Sequence, residues 1–154
     1  MREGVRLGID VGTVRIGIAR SDKDGLLATP YETLERTSDY LNRLSTILEE
    51  ISVFEIVIGL PLSLSGEHTA STNDALEVAR AIASVTEIPV RLIDERLTTV
   101  SAHSAMKAVG KNQKKSRPVI DQVAAVLILQ QALDSERSTG QLAGKALSEF
   151  PEQA

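Results

Sequence analysis

The segment VRLGIDVGTVRIGIARS, residues 5–21, decides the fold because it predicts two strands joined by a tight turn. Val5 to Val11 and Arg15 to Ser21 are apolar runs typical of strands, and Gly12-Thr13 supplies the turn between them. Leu26 to Thr33 predicts a third strand, which Pro30 places near a sheet edge or at a bulge. Three strands with short connections predict an antiparallel meander at the start of the chain.

After the meander, the hydrophobic pattern predicts helices that alternate with strands. Apolar residues between 41 and 51 fall on one face of a helix, with Ser38 or Asp39 as its cap. The segment EIVIGL, Glu55 to Leu60, has almost no polar residue inside it, which is typical of a strand covered on both faces. The remaining elements are a helix around residues 76–83, a strand over Ile88–Ile93, a short helix over residues 102–109 that ends at Gly110, and a last helix from Pro118 to about Asp134.

The order β-β-β-α-β-α-β-α-α predicts an α/β fold. We expect a five-stranded mixed sheet, in which three antiparallel strands precede the strand–helix alternation, with helices on both faces. Residues 1–137 are expected to form one domain. Residues 138–154 are polar and small, with Gly140, Gly144 and Pro151, and predict a flexible C-terminal tail.

The composition excludes several classes of protein. A chain of 154 residues and 16.6 kDa is long enough for one domain with a real core. The net charge of -4 argues against a wholly basic nucleic-acid coat. No cysteine is present for a disulfide or a zinc–thiolate site, and two histidines leave little for any zinc site. Without a membrane-length apolar run or a signal-peptide pattern, a cytoplasmic protein is expected.

Three carboxylates at the ends of predicted elements are the candidate site. Asp10 lies in an otherwise apolar strand, where it is costly to bury unless it is paired or binds a metal, although it could cap the turn instead. Glu95 follows the fifth strand in LIDERLTT, residues 92–99, where a surface ion pair is the alternative. Asp121 lies in the first turn of the last helix, and the helix dipole alone could explain it. Since chemistry in open α/β sheets collects at strand ends, the three acids are candidates to converge.

The type of these side chains indicates the metal that they would bind. Carboxylates are hard oxygen ligands that suit Mg²⁺ or Mn²⁺. Two such ions about 4 Å apart would activate a water and stabilise the leaving oxygen in phosphodiester cleavage. Gly12 and Thr13 would let a phosphate approach the main chain closely.

A basic loop precedes Asp121 and could bind a phosphate backbone, although a solvated loop explains the same charges. Its cations are Lys111, Lys114, Lys115 and Arg117. Because aromatic residues make up only 3% of the chain, we expect recognition of backbone and shape, with little reading of bases.

Four motifs, in order over the chain to about Arg137, resemble the YqgF/RuvX family: GIDVGTVRIGIA, VIGLP, DERLTT and IDQVAAVLILQ. The resemblance implies an RNase H-like fold and a metal-dependent nuclease that processes the 5′ end of pre-16S rRNA or resolves Holliday junctions. The family's acidic residues fall on Asp10, Glu95 and Asp121, which would be the catalytic and metal-binding residues. Arg96 would orient a carboxylate or a phosphate.

One loop departs from the family's pattern. After VIGLP the family commonly has N-M-D-G-T, whereas this chain has SLSGE from Ser63 to Glu67. Substrate contacts made by the missing Asn and Asp are therefore not expected. Asp94 is an alternative ligand to Glu95, but only one of the two should face the site if the strand stays regular.

Several functions compete at this point. A structured ribosomal RNA precursor is the preferred partner and would suit a monomer, whereas a branched DNA junction would suit a two-fold homodimer. GIDVGT also resembles the first phosphate-binding motif of sugar kinases and actin-like ATPases, but this chain has no room for their second domain. A module that binds structured RNA without cleaving it is a further alternative.

Overall fold

The computed structural model describes residues 1–98 and 117–151, with six strands and three α-helices among them. The strands are β1 (Val5–Val11), β2 (Arg15–Ser21), β3 (Ala28–Glu35), β4 (Val53–Leu60), β5 (Val90–Asp94) and β6 (Lys145–Ala146). The helices are α1 (Tyr40–Glu50), α2 (Ala70–Val85) and α3 (Arg117–Thr139), with 3₁₀ turns at Glu95–Thr98 and Leu147–Glu149. The short helix expected over residues 102–109 lies outside the described residues. No helix in the described ranges combines the length and the apolar character needed to span a membrane.

The strands form one mixed sheet in the order β3-β2-β1-β4-β5-β6. β1, β2 and β3 pair antiparallel, whereas β4 pairs parallel with both β1 and β5. This confirms the predicted α/β fold, in which a meander precedes strand–helix alternation. The predicted count of five strands is wrong, because β6 pairs antiparallel with β5 and makes a sixth. A strand of two residues is too short to produce a hydrophobic alternation.

The sheet separates two apolar clusters, one under each layer of helices. On one face, Leu7 and Ile9 of β1 belong to the cluster that α1 and α2 cover. On the opposite face, Ala19 and Val57 pack with the buried side of α3, including Leu129. The predicted helices on both faces are therefore confirmed.

Two glycines allow α3 to lie unusually close to the sheet. A Cβ atom on Gly8 of β1 would lie 2.6 Å from the Cβ atom of Leu129, which is too close for any real contact. A Cβ atom on Gly17 of β2 would overlap the main-chain carbonyl oxygen of Asp121. The first half of α3 therefore rests directly on the β1–β2 hairpin.

A buried ionic cluster fixes the other end of α3 to the start of the sheet. The guanidinium of Arg6, whose residue is 1% exposed, lies 3.0 Å from the carboxylate of Glu136. Arg2 bridges Glu136 at 2.5 Å and Glu55 at 2.9 Å. Both guanidinium groups also lie over the ring of Phe54. This cluster and the two glycines determine how α3 lies across the sheet.

The segment predicted to be a flexible tail contacts the sheet in the structure. Arg91 donates hydrogen bonds to the carbonyl oxygens of Ala143 and Gly144, at 2.6 and 2.9 Å. Ala143 is buried, and Arg80 of α2 donates to the carbonyl oxygen of Phe150. These contacts explain the sixth strand, whereas the domain boundary at residue 137 stays a prediction.

Candidate active site

Asp10 lies one residue before the end of β1 and faces α3. It shares this face with Gly8, since side chains alternate along a strand. Its neighbour across the β1–β2 ladder is Gly17, so no side chain covers Asp10 from that strand. Burial and, to a smaller extent, the negative charge of Asp121 together raise the pKa of Asp10 to about 6. An ionised Asp10 is therefore unfavourable here unless a cation compensates for it.

Asp121 approaches Asp10 from α3. Its main-chain carbonyl oxygen lies directly over Gly17, and Gly17 is the ladder partner of Asp10. The electrostatic influence of Asp121 on Asp10 follows from this arrangement. Asp121 is near Asp10 because two strands under the first half of α3 carry glycine at the contact.

Glu95 approaches Asp10 from the opposite side. It is the first residue of the 3₁₀ turn after β5, and its carboxylate lies over Gly59 of β4, where any Cβ atom would overlap it. Gly59 follows Ile58, which pairs with Ile9, so Gly59 lies beside Asp10 in the sheet. Burial and, to a smaller extent, the negative charges of Asp10 and Asp94 together raise the pKa of Glu95 to about 7.

Asp10, Glu95 and Asp121 therefore form a row across three adjacent strands, which we call the acid row. Glu95 lies above β4, Asp10 projects from β1, and the Asp121 backbone lies above β2. Within residues 1–98 and 117–151, no three Asp, Glu or His side chains are grouped closely enough to enclose a metal ion. The structure brings the predicted acids to one face without arranging them as a closed metal site.

The donor chemistry of the acid row fits Mg²⁺ or Mn²⁺. All three side chains offer carboxylate oxygens, which these hard cations prefer. Asp10 and Glu95 have raised pKa values because their negative charges are buried close to other acids, and a divalent cation would relieve that cost. The row therefore satisfies the requirements of ligand type and charge.

Asp94 and Glu95 are adjacent in sequence but have different surroundings. The Asp94 carboxylate accepts hydrogen bonds from the Arg96 guanidinium, with Nη2 at 2.6 Å and Nε at 3.0 Å. These hydrogen bonds lower the pKa of Asp94, so it stays ionised beside Arg96. Arg96 also donates to the carbonyl oxygen of Leu64. This pairing supports Glu95, and not Asp94, as the member of the acid row.

Two arginines near the acid row were missed by the interpretation of the sequence. Arg15 Nε lies 3.1 Å from Oδ2 of Asp121, which places one positive charge at the end of the row. Arg36 donates through Nη1 to the carbonyl oxygen of Gly12 at 3.0 Å, and both of its terminal nitrogens bind Asp74 of α2. Arg36 therefore fixes the turn that follows Asp10 to the neighbouring helix. Both contacts depend on strand register, for which the sequence alone gives no direct signal.

The other predicted binding residues lie in different places. Gly12 and Thr13 occupy the turn beside the acid row, and a Cβ atom on Gly12 would lie 2.5 Å from the carbonyl oxygen of Arg15. The tight turn itself therefore explains this glycine. Arg117 is the first residue of α3, about one helical turn before Asp121. Lys111, Lys114 and Lys115 lie outside the described residues.

Several known bacterial proteins have sequences similar to that of this chain. A family model described as "RuvX: Holliday junction resolvase" matches residues 4–135. A protein of Leifsonia xyli subsp. xyli (strain CTCB07), named "Putative pre-16S rRNA nuclease", is 59% identical over 146 residues that cover 94% of this chain and 94% of that protein. A protein of Mycobacterium leprae (strain TN) with the same name is 48% identical over 157 residues, covering 94% of this chain and 85% of its own length.

Solved structures agree with the predicted fold. T. thermophilus RuvC in complex with Holliday junction substrate has a TM-score of 0.60 and 17% sequence identity, and the match covers 93% of this chain and 99% of that chain. At this identity the similarity concerns the fold alone, and it confirms the expected RNase H-like architecture. The match over residues 4–135 and the high identity to the bacterial relatives show that the chain belongs to the YqgF/RuvX family.

Proposed function

We propose that this protein is a metal-dependent nuclease that hydrolyses phosphodiester bonds at the 5′ end of pre-16S rRNA. The acid row is the observation that carries the proposal, because Asp10, Glu95 and Asp121 lie on one face and burial disfavours the negative charges of Asp10 and Glu95. The names of the bacterial relatives support this substrate. With a ribosomal precursor as substrate, we also propose a cytoplasmic location.

The acid row would hold Mg²⁺ or Mn²⁺, and the two-metal mechanism is part of the proposal. Such ions, when bound, supply an activated water for attack on phosphorus and stabilise the leaving oxygen. Asp10 is central because it neighbours both other acids, and partial burial of the row strengthens its attraction for cations. Asp10 and Glu95 must lose their protons to bind a metal, so activity should rise with pH between about 6 and 8.

Positively charged and main-chain groups around the row would position the nucleic acid. Arg36 and the Arg15 carbonyl oxygen hold Gly12 in this turn, and we propose that a phosphate approaches the main chain at Thr13. The side chain of Arg96 is 36% exposed, and its ion pair with Asp94 orients the guanidinium. We propose that Arg96, Arg117 and the lysines of the preceding basic loop contact the phosphate backbone of structured RNA.

A Holliday junction is the second candidate substrate. The description of the family model favours it, and the fold is that of RuvC. Two symmetric cuts in a four-way junction need two active sites, so this function requires a homodimer. Processing of an RNA end needs one active site and is compatible with a monomer.

A cleavage assay on end-labelled substrates tests these functions. A precursor that spans the 5′ end of 16S rRNA and a four-way DNA junction would each be incubated with Mg²⁺, Mn²⁺ or EDTA. The parent protein would be compared with Asp10→Asn and with Asp24→Asn, a matched control at an exposed turn away from the row.

Metal-dependent cleavage of the RNA precursor, lost in Asp10→Asn and retained in Asp24→Asn, is the expected result. Cleavage of the junction alone would replace the RNA function with junction resolution. Binding of either substrate without cleavage in any metal would overturn the nuclease and favour a module that only binds nucleic acid.

A further inference from the structure

A cavity of about 410 Å³ opens around the end of β5, where the end of β4, α3 and the C-terminal segment meet. The strand β6 pairs with β5 only as far as Leu92, so the end of β5 borders the cavity. Gln131 and Ser135 of α3 line one side, and Gly144 and Phe150 of the C-terminal segment line another. Binding sites for small organic groups typically have volumes of about 300 to 1,000 Å³.

The lining of the cavity suits a flat heterocyclic ring. Leucine and isoleucine side chains from the ends of β4 and β5 provide apolar surface, and the amide of Gln131 and the hydroxyl of Ser135 provide hydrogen-bonding groups. The rings of His68 and Phe150 also line it, with centroids 6.3 Å apart. The whole chain has two Phe, two Tyr, two His and no Trp, so finding two of these rings at one cavity is notable. Aromatic rings beside polar groups are the usual means of holding a nucleobase.

The position of the cavity relates it to the acid row. Asp94 and Arg96 line the cavity, and Glu95 lies between them in the chain. Asp94 and Arg96 are therefore main-chain neighbours of Glu95, with consecutive Cα atoms about 3.8 Å apart, while the Glu95 carboxylate lies over Gly59. A nucleic-acid strand lying along the acid row would therefore present its next base to this cavity, with Arg96 close to the intervening phosphate.

We propose that this cavity binds one nucleobase of the substrate strand, next to the phosphodiester bond that is cleaved at the acid row. The inference rests on the proposed nuclease function and adds a base-reading site to it. It modifies the expectation, drawn from the low aromatic content, that bases are hardly read. The C-terminal segment then has a defined role, because it forms one side of the base site.

Nuclear magnetic resonance titration of the intact protein tests the cavity without requiring cleavage. The probes are AMP, GMP, CMP and UMP, with ribose 5-phosphate and inorganic phosphate as controls that lack a base. The reporters are the Gln131 side-chain amide and the backbone amides of Ser135 and Gly144. Ser135→Phe would fill the cavity from a half-buried helix position, and Ser138→Phe is the matched control at an exposed position on the same helix.

At least one nucleotide should shift the cavity reporters, and ribose 5-phosphate should not. Ser135→Phe should weaken this binding about tenfold or more, whereas Ser138→Phe should leave it unchanged. Equal shifts with ribose 5-phosphate, no shifts with any nucleotide, or equal binding by the two variants would overturn the base site.

A second readout separates this inference from the proposed nuclease function. If the parent protein cleaves end-labelled RNA, Ser135→Phe should change the distribution of cleavage positions and leave metal dependence intact. Cleavage with an unchanged distribution would retain the nuclease and reject the base site. Base-dependent shifts in a protein that cleaves nothing would retain the base site and reject the nuclease.

Discussion

Replacing Asp10 with asparagine should stabilise the protein against unfolding at pH 8 in EDTA, even though it removes a proposed metal ligand. Burial and the charge of Asp121 raise the pKa of Asp10 from 3.8 to about 6 in the folded protein. Between these two pH values the unfolded chain has lost the Asp10 proton and the folded protein keeps it. The free energy of unfolding of the parent therefore falls as the pH rises through this window.

The size of the effect follows from the two pKa values. A change of one pKa unit is worth about 1.4 kcal/mol, so the difference between 3.8 and about 6 corresponds to about 3 kcal/mol. Asparagine carries no charge and avoids this loss, although it does not reproduce every interaction of a protonated carboxyl group. We therefore expect Asp10→Asn to gain about 2 kcal/mol at pH 8 and almost nothing near pH 4.

Urea unfolding followed by circular dichroism, at several pH values between 4 and 8 in EDTA, measures this difference. Asp24→Asn is the control for the substitution itself and should stay close to the parent, because Asp24 is exposed. Excess Mg²⁺ should stabilise the parent and have little effect on Asp10→Asn, because a ligand stabilises only the state that binds it. A variant that is no more stable than the parent at pH 8, or whose gain is the same at pH 4, would refute the electrostatic reasoning.

Three further substitutions test other parts of the structure. Gly17→Ala should destabilise the protein by about 1 to 3 kcal/mol in urea unfolding, because its methyl group would overlap the carbonyl oxygen of Asp121. Glu136→Gln should lower the free energy of unfolding by about 3 kcal/mol at pH 7, because it leaves the buried Arg6 without its charged partner. This loss should shrink at acidic pH, where Glu136 of the parent takes up a proton. Burial opposes ionisation of Glu136, but its arginine partners hold its pKa below the ordinary value. Arg36→Met should reduce the cleavage rate about tenfold by loosening the turn after Asp10, while urea unfolding shows a loss of about 1 kcal/mol or less.

The sequence was sufficient to predict the main architecture because most elements have a clear local signal. The apolar runs around Asp10 and the turn after it identify the first hairpin, and Pro118 marks the first turn of α3. β6 was missed because its pairing depends on Arg91, which holds the main chain of Ala143 and Gly144 in place. A strand that is positioned by a side chain of another strand has no local signature of its own.

The acids of the candidate site were identifiable, but their spatial arrangement was not. Asp10 is conspicuous as a charge in an apolar strand, whereas its closeness to Asp121 depends on Gly17, which lies opposite it only in the observed register. The position of Glu95 likewise depends on Gly59, a residue of a different strand. Each of these relations joins residues that are distant in sequence, so a single sequence without strand pairing cannot supply them.

The adjacent acids Asp94 and Glu95 show how one strand end can contribute to two surfaces. β5 ends at Asp94 and Glu95 begins the 3₁₀ turn, so the two carboxylates belong to different elements and have different neighbours. Asp94 orients Arg96 at the cavity, and Glu95 extends over Gly59 toward Asp10. A single acid at this position would supply either a candidate ligand or an oriented arginine, but not both. The pair is therefore required if the acid row and the proposed base site are to bind neighbouring parts of one strand.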